Sequence, residues 1–203
     1  MKPGISILLS IQNNMKGKKY ILASGSPRRK ELMSGLDLDF VVETGTDCDE
    51  NYDENMPLDE IPEYLSSKKS DAFHRELEKD EVLITADTMV LCEDRILGKP
   101  HDREEAIRML KLLSNRTHRV LTGVTLRSSK KRKSFTATTT VTFRELEDSE
   151  ILYFIDRYKP FDKAGAYAVQ EWIGYIGITS IQGSFFNVMG LPVQRLYDEL
   201  KKL

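Results

Sequence analysis

The sequence predicts an α/β protein built on a mixed, twisted β-sheet with helices packed against it. Two observations support this prediction. Short apolar runs of strand length alternate along the chain with segments whose apolar residues recur at helical spacing. In addition, some neighbouring strand segments are separated only by short polar turns, which indicates antiparallel hairpins within the same sheet.

The first half of the chain carries clear helix and strand signals. Ser26 and Pro27 predict a helix start, because Ser is a favoured N-cap and Pro suits the first helical position; Gly35 marks the end. Apolar side chains at helical spacing predict helices from Pro57 to about Leu77 and from Asp102 to Leu113. Apolar runs predict strands at residues 20–23, 40–42, 82–86, 89–92 and 95–97, the last two as a hairpin.

The second half is richer in strands. Two β-rich segments, His118–Arg127 and Phe135–Phe143, are joined by a polar basic turn. Residues 147–158 are predicted to be helical, residues 165–181 are predicted to be a glycine-rich strand region, and residues 192–203 are predicted to form a final helix. The elements follow one another without a long linker or a low-complexity tract, so residues 19–203 are expected to be a single domain.

Residues 1–18 are expected to form an extension before this domain, with disorder as one reading of it. Residues 5–11 are apolar and loosely resemble a secretion signal, but the run is short and no small-residue cleavage site follows it. Met15 is an alternative start of the chain.

Composition narrows the classes of function. A formal net charge of −2 argues against a surface that holds long nucleic acid, whereas a small anionic substrate needs only a local basic pocket. The only two cysteines, Cys48 and Cys92, are far apart and form no CxxC pattern, which favours a reduced, cytoplasmic protein. No run approaches the ~20 apolar residues of a membrane span, so no membrane association is expected.

The segment from Ser24 to Arg29 predicts an anion site. Free N–H groups at a helix start favour an anion, and Ser24 and Ser26 add hydroxyl donors. Arg28 and Arg29 bring permanent charge in a forked geometry that suits phosphate. The alternative from local sequence alone is an N-capped helix with two solvated arginines.

Acidic residues supply candidates for a base or a metal ligand. Asp87 follows the apolar run 82–86, so it is expected at the C-terminal end of a strand, where it could bind a divalent metal or act as a general base. Asp49, Glu50 and Glu54, in an acidic loop from Asp47 to Glu54, could add a second carboxylate. For each of them, a capping or solvated carboxylate is the alternative.

Further residues could bind phosphate or a base. Lys69 and Lys99 could neutralise phosphate oxygens, and Asp162 and Lys163 form a further charged corner. The Gln170 amide could bind the edge of a base. The basic turn Lys130–Lys133 is rejected as a nucleic-acid site, since such hairpin tips are commonly only solvated.

Two enzyme classes are excluded by spacing. His74, His101 and His118 show neither HxH nor HExxH spacing, and no Gly-x-Ser-x-Gly motif is present. The hypotheses of a zinc enzyme and of a serine hydrolase are therefore rejected.

Taken together, these motifs resemble those of the Maf family of nucleoside triphosphate pyrophosphatases, from about Lys19 to Leu200. The segments that carry the resemblance are residues 22–29 (LASGSPRR), 86–88 (ADT), 97–100 (LGKP), 118–124 (HRVLTGV), 162–170 (DKAGAYAVQ) and 190–192 (GLP).

The resemblance implies a fold and an activity. The fold is a Maf and ITPase-like sheet whose flanking helices form two lobes around a cleft. The activity is hydrolysis of a nucleoside triphosphate to the monophosphate and pyrophosphate with a divalent metal, Mg²⁺ or Mn²⁺. The resemblance also suggests a homodimer.

The resemblance assigns roles to several of the residues named above. Asp87 matches the family's base, and Asp49 is the best match to its acidic metal ligand, with Glu50 as a rival. The phosphate-binding positions fall on Ser24, Ser26, Arg28, Arg29, Lys69 and Lys99. Lys69 and Lys99 are also expected to be catalytic, and Lys163 is expected to bind the substrate. The match of Lys69 rests on its spacing to Asp87, because Ser66 to Ser70 departs from the family's usual Ala-rich helix.

The resemblance also suggests a substrate class. Arg28, Thr88 and Gln170 are similar to the residues of the group that acts on dTTP and UTP, with modified pyrimidine nucleotides as further candidates. Glu171 and Trp172 depart from the family pattern, where Gly follows the Gln, and are expected to reshape the base pocket.

The mechanism expected from these residues is in-line attack of water on the α-phosphorus with Asp87 as base. Two alternatives stay open at this point. One is a nucleotide sensor linked to cell division that does not hydrolyse its ligand, and the other is a phosphatase that removes only the terminal phosphate.

Overall fold

The computed structural model describes residue 15, residues 17–46 and residues 48–203. Most of the expected extension, residues 1–14 and residue 16, lies outside this described part, and so does Asp47 of the acidic loop. Met15, which falls within the expected extension, is buried in the core.

The centre of the fold is a seven-stranded mixed sheet, as the alternating pattern predicts. The strands are β1 (Lys19–Leu22), β2 (Phe40–Val42), β3 (Glu81–Cys92), β4 (Arg95–Leu97), β5 (Thr117–Ser128), β6 (Arg132–Phe143) and β7 (Ile178–Gln182). They run in the order β2-β1-β3-β5-β6-β7, and β4 pairs with β3 off this path. Among the described residues, β1 pairs in parallel with β2 and β3, and the other pairings are antiparallel.

Seven helices of the described residues connect and cover this sheet, together with two short 3₁₀ turns at Pro160–Asp162 and Ala164–Ala166. The helices are α1 (Pro27–Ser34), α2 (Ile61–Asp71), α3 (Arg103–Leu113), α4 (Asp148–Tyr158), α5 (Trp172–Gly177), α6 (Phe185–Met189) and α7 (Val193–Leu200).

The helix signals in the sequence locate most of these helices. The Ser26 hydroxyl accepts from the Arg29 N–H at the start of α1, as its N-cap role requires. Asp102 caps α3 in the same way. α2 is shorter than the predicted 57–77. It begins at Ile61, because Pro62 has to lie in the first turn of a helix, and it ends at Asp71.

Two strand predictions are wrong. The segments 82–86 and 89–92 belong to one strand, β3, so Asp87 lies in the middle of a strand and not at its end. The region 165–181 is mostly not a strand. Gly165 has a φ of 69°, and Gly174 packs so closely on Val169 that an added Cβ would lie 2.1 Å from its carbonyl oxygen. The chain therefore turns through a 3₁₀ segment and α5 before β7 begins.

The two largest apolar cores of the described residues lie at opposite ends of the long strands, which confirms the predicted two-lobed arrangement. The first core includes Ile84 and Ala86 of β3, together with side chains from β1, α1 and α7. The second core includes Val90 and Cys92 of β3, together with side chains from α3 and α4. The short stretch of β3 between the two cores, around Asp87, forms the floor of the cleft.

Candidate active site

The cleft exists because β3 changes partners along one edge. β1 pairs with β3 up to Ile84, and β4 pairs with it from Val90 onward. Between these points, the β3 edge faces a cavity of about 750 Å³ instead of a strand. That volume falls within the range of small-molecule sites, which is about 300–1,000 Å³.

The predicted anion segment forms one wall of this cavity. Ser24, Ser26, Arg28 and Arg29 all line it. The hydroxyl oxygen of Ser24 accepts from the Ser26 N–H (3.3 Å), and that of Ser26 accepts from the Arg29 N–H (3.4 Å). Both hydroxyls are thus used as acceptors, which leaves their O–H groups available to donate to an anion.

The two arginines of this segment differ in their surroundings. Arg29 donates to the carbonyl oxygen of Ala86 (2.8 Å), to that of Gly190 (2.9 Å) and to the Thr88 hydroxyl (3.0 Å). It therefore replaces the missing strand partner of β3 and attaches α1 to the cleft floor. Arg28 instead bonds to the carboxylate of Asp162 across the cleft (2.9 Å).

Asp87 lies at the centre of a charge cluster. The Lys69 ammonium contacts the Asp87 carboxylate at 2.5 Å and the Glu50 carboxylate at 2.9 Å, and all three side chains line the cavity. Burial opposes the charge on Lys69, but the two carboxylates outweigh it and raise its pKa. The hydrogen bond from Lys69 in turn lowers the pKa of Glu50.

Lys69 is held over β3 by close packing of α2. The buried Ser66 hydroxyl meets that of Thr125 (2.9 Å), and the Thr85 hydroxyl donates to the Ser66 carbonyl (2.6 Å). The Ser66 to Ser70 segment departs from an Ala-rich helix. One of its serines, Ser66, places its hydroxyl in contact with a hydroxyl group of the sheet. This polar packing holds α2 against the sheet, where Lys69 reaches Asp87.

The opposite wall comes from the segment after α4. Lys163 and Gln170 line the cavity, as does Lys99 from the turn after β4. The Gly165 N–H donates to the Gly98 carbonyl, which ties this segment to the Lys99 turn. The side-chain oxygen of Gln170 is buried without a hydrogen-bond partner among the described residues, so it can accept from a ligand.

A buried pair lies behind this wall. His118 of β5 and the hydroxyl of Tyr167 are 2.7 Å apart, and Tyr167 also lines the cavity. Burial lowers the pKa of His118 to about 4 and raises that of Tyr167. Both groups are therefore neutral near pH 7, and their contact supports the segment that carries Lys163 and Gln170.

Most of the residues predicted for the site lie on this one cavity. Of the candidate metal ligands, Glu50 and Asp87 share Lys69, whereas Asp49 pairs with Lys68 and the Asn51 amide and does not line the cavity described here. Asp162 lines it too, but sequence reasoning gave it no role of its own. The sequence signal for Asp162 was the charged pair Asp162-Lys163. Its hydrogen-bond partner Arg28 lies 134 positions earlier in the chain.

Comparison with known proteins assigns the family. A model of the family described as "Maf-like protein" matches residues 19–203. The chain belongs to the Maf family. This assignment covers every residue that lines the cleft, and it confirms the resemblance first suggested by the motifs.

Several relatives of the chain bear the same name, that of a dTTP/UTP pyrophosphatase. A dTTP/UTP pyrophosphatase of Bacteroides thetaiotaomicron is 55% identical, over 94% of this chain and 98% of that protein. A protein of the same name from Parabacteroides distasonis is 52% identical over 93% and 97%. Another from Flavobacterium johnsoniae is 43% identical over 95% and 99%. Maf-family membership therefore rests on similarity over nearly the full length of each chain.

Among solved structures, the chain is similar to a HAM1 protein from Coxiella burnetii. The TM-score is 0.46 at 13% identity, with 92% of this chain and 100% of the other covered.

Among the helices of the described residues, none combines the length and the apolar character that a membrane span requires.

Proposed function

We propose that this Maf-family chain hydrolyses dTTP and UTP to the nucleoside monophosphate and pyrophosphate, with modified pyrimidine nucleotides as further substrates. The observation that carries the proposal is the cleft itself. It combines cations from both walls with a carboxylate on its floor, and relatives about 50% identical bear the name of this activity. The domain that performs the reaction is residues 19–203, the range that the family model matches.

The two walls suggest how the substrate is oriented. The triphosphate would bind along Ser24, Ser26 and Arg28 and the ammonium groups of Lys69, Lys99 and Lys163. These groups are positioned before substrate binds and would stabilise charge that develops on the phosphates, which is the main source of catalysis in phosphoryl transfer. Arg29 would act indirectly, since it holds α1 against β3 and Gly190.

Asp87 is proposed to act as the base. It lies on a rigid strand, and its contact with Lys69 keeps its carboxylate directed into the cleft. The oxygen of a water would form a bond to the α-phosphorus while the bond to the bridging oxygen of pyrophosphate breaks. The proton of that water would pass to the Asp87 carboxylate.

A divalent metal, Mg²⁺ or Mn²⁺, fits this donor set. No group of three or more metal-type side chains occurs among the described residues. Asp87 and Glu50, however, lie on the same lysine, and one or two carboxylates plus substrate phosphates are the usual ligands of Mg²⁺. Asp87 and Glu50 would hold the ion, which when bound would neutralise phosphate charge.

Gln170 is proposed to recognise the base. A primary amide offers a donor beside an acceptor, which complements the imide N–H and carbonyl of uracil and thymine. Its buried side-chain oxygen has no partner among the described residues, so a bound base would satisfy it. Thr88 would contribute to substrate binding indirectly, because its hydroxyl is hydrogen-bonded to Arg29 and to Thr122.

The remaining proposals concern the setting of the enzyme. We propose a cytoplasmic homodimer, which the family resemblance implies. The two free cysteines, Cys48 and Cys92, are consistent with a reducing compartment.

Product analysis tests the proposed function directly. The purified chain is incubated with dTTP, UTP, CTP, ATP and GTP, with Mg²⁺ or Mn²⁺, and the nucleotides are separated by chromatography. We expect dTMP and UMP with one pyrophosphate for each. A nucleoside diphosphate product would instead indicate a terminal phosphatase, and binding without turnover would indicate a sensor.

A further inference from the structure

The carboxylate of Asp162 already contacts two of the cations that are proposed to bind phosphate. One carboxylate oxygen of Asp162 lies 2.9 Å from the Arg28 guanidinium, and the other lies 2.7 Å from the Lys163 ammonium. Arg28 lies on the α1 wall and Lys163 on the opposite wall. Asp162 therefore joins the two walls across the mouth of the cleft.

The arrangement is that of an anion-binding site in which a side chain of the protein itself takes the place of the anion. A carboxylate with one oxygen on each of two cations makes the contacts that two oxygens of a phosphate group would make. The Asp162 side chain is 59% exposed, whereas those of Arg28 and Lys163 are 24% and 10% exposed. The carboxylate thus covers the cations from the solvent side, where a nucleotide has to enter.

The charge on Asp162 is permanent under ordinary conditions. Burial opposes it, but the hydrogen bonds from Lys163 and Arg28 prevail and lower the pKa of Asp162 to about 2. Protonation therefore does not release the two cations near neutral pH. Only another anion can compete for them.

We propose that Asp162 is an internal stand-in for a phosphate group, which the incoming triphosphate displaces from Arg28 and Lys163. The proposal rests on the proposed function, because it assigns these two cations to the substrate. Lys163 keeps a second partner when Asp162 leaves, since Glu171 lies 3.3 Å away. Arg28 is therefore the group most freely transferred from carboxylate to phosphate.

A consequence follows for affinity. In the stand-in role, the Asp162 charge opposes binding twice, by occupying the cations and by repelling the phosphates. Its removal should tighten binding. If Asp162 instead serves to orient Arg28 and Lys163 for the substrate, its removal should weaken binding. The two roles predict opposite signs for one measurement.

The test is calorimetric binding of inorganic tripolyphosphate to the full chain and to the Asp162→Asn variant, at low salt without metal. Asn keeps the shape of the side chain and removes its charge. We expect the Kd to fall by about threefold to tenfold in the variant. An unchanged or increased Kd would overturn the proposal.

A matched control is available on the outer surface. Asp156 pairs with Arg103, its side chain is 58% exposed, and neither residue lines the cavity. Asp156→Asn removes the same charge from a similar ion pair, and its Kd should equal that of the unmodified chain. An equal decrease in Kd would mean that net charge alone, and not the position of Asp162, sets affinity, and would also overturn the proposal.

A double variant locates the effect. In an Arg28→Gln background, Asp162→Asn should change the Kd by less than half of its effect in the unmodified chain, measured as log Kd, because the shared partner is gone. Full additivity would contradict the exchange at Arg28. Tripolyphosphate binding requires no turnover, so a failure of the proposed activity with dTTP would be seen separately.

Discussion

Arg28 and Arg29 are neighbours in sequence with different tasks. Arg29 donates to two backbone carbonyls and to the hydroxyls of Thr88 and Ser24, so it is part of the framework of the cleft. Arg28 has its donors on Asp162, a group that a ligand could replace. We therefore expect Arg29 to affect stability and Arg28 to affect the affinity for a ligand.

Replacement of Arg29 by Lys should destabilise the protein. A single ammonium cannot reach Ala86, Gly190 and Thr88 together, so at least one of these acceptors would lose its partner in a largely buried setting. We expect the free energy of unfolding, measured with urea, to fall by about 1–3 kcal/mol. Arg103→Lys, at an exposed pair, should cost less than about 1 kcal/mol. Equal losses in the two variants would contradict this role of Arg29.

At the scale of single residues, the sequence predicts which chemical group a residue offers better than it predicts which residues that group contacts. The Ser26 cap could be predicted because its hydrogen bond is made within three residues. The different roles of Arg28 and Arg29 could not, because they depend on Asp162 and on Gly190, which are 134 and 161 positions away. The choice between Asp49 and Glu50 also depends on which side chain reaches Lys69.

At the scale of elements, α2 and β5 meet backbone to backbone. A Cβ added to Gly123 would lie 2.1 Å from the carbonyl carbon of Pro62 and 2.3 Å from the nitrogen of Glu63. Gly123 is the partner of Asp87 in the sheet register. The absence of a side chain at Gly123 is thus what lets α2 approach and place Lys69 on Asp87.

Gly123→Ala should therefore affect both stability and catalysis. The first turn of α2 would have to move away from β5, which would disturb the contact between Lys69 and Asp87. We expect the free energy of unfolding to fall by about 2 kcal/mol or more, as for an overpacked core, together with a lower kcat. In Gly98→Ala the new methyl group meets open space, so its unfolding midpoint should be almost unchanged. A stable Gly123→Ala variant would show that α2 does not depend on this approach.

Element boundaries were predicted where local signals exist. Caps and Pro62 explain where α1, α2 and α3 begin. The length of β3 could not be predicted, because the polar pair Asp87-Thr88 looks like a strand end in isolation. It is accommodated in mid-strand only because β1 and β4 pair with different parts of the same edge.

At the scale of the whole molecule, β3, β5 and β6 contribute side chains to both cores, so we expect the two cores to unfold together. His118 of β5 is buried beside Phe143 and Tyr167 in the second core, at 2% exposure. A histidine with a pKa of about 4 in the folded state and about 6.5 in the unfolded state binds a proton more readily after unfolding. Its contribution to stability is complete above pH 6.5 and is lost as the pH falls toward 4.

The lowered pKa of His118 predicts a pH dependence of unfolding. Between pH 7 and pH 4, the unmodified chain should lose up to about 3 kcal/mol more of its unfolding free energy than His118→Gln, which carries no titrating ring. The measurement is urea unfolding at several pH values for the two proteins. Parallel pH curves for the two would mean that His118 is protonated in the folded state as easily as in the unfolded chain.

The most direct test of the proposed site is turnover of dTTP by Asp87→Asn, with tripolyphosphate binding measured in the same protein. Asn keeps the size of the side chain on β3 and removes the proton acceptor. We expect kcat to fall by about 100-fold or more, with a Kd for tripolyphosphate that is no weaker than in the unmodified chain, and full turnover in the Asp156→Asn control. Undiminished turnover by Asp87→Asn would contradict the assignment of Asp87 as the base and, with it, the proposed mechanism.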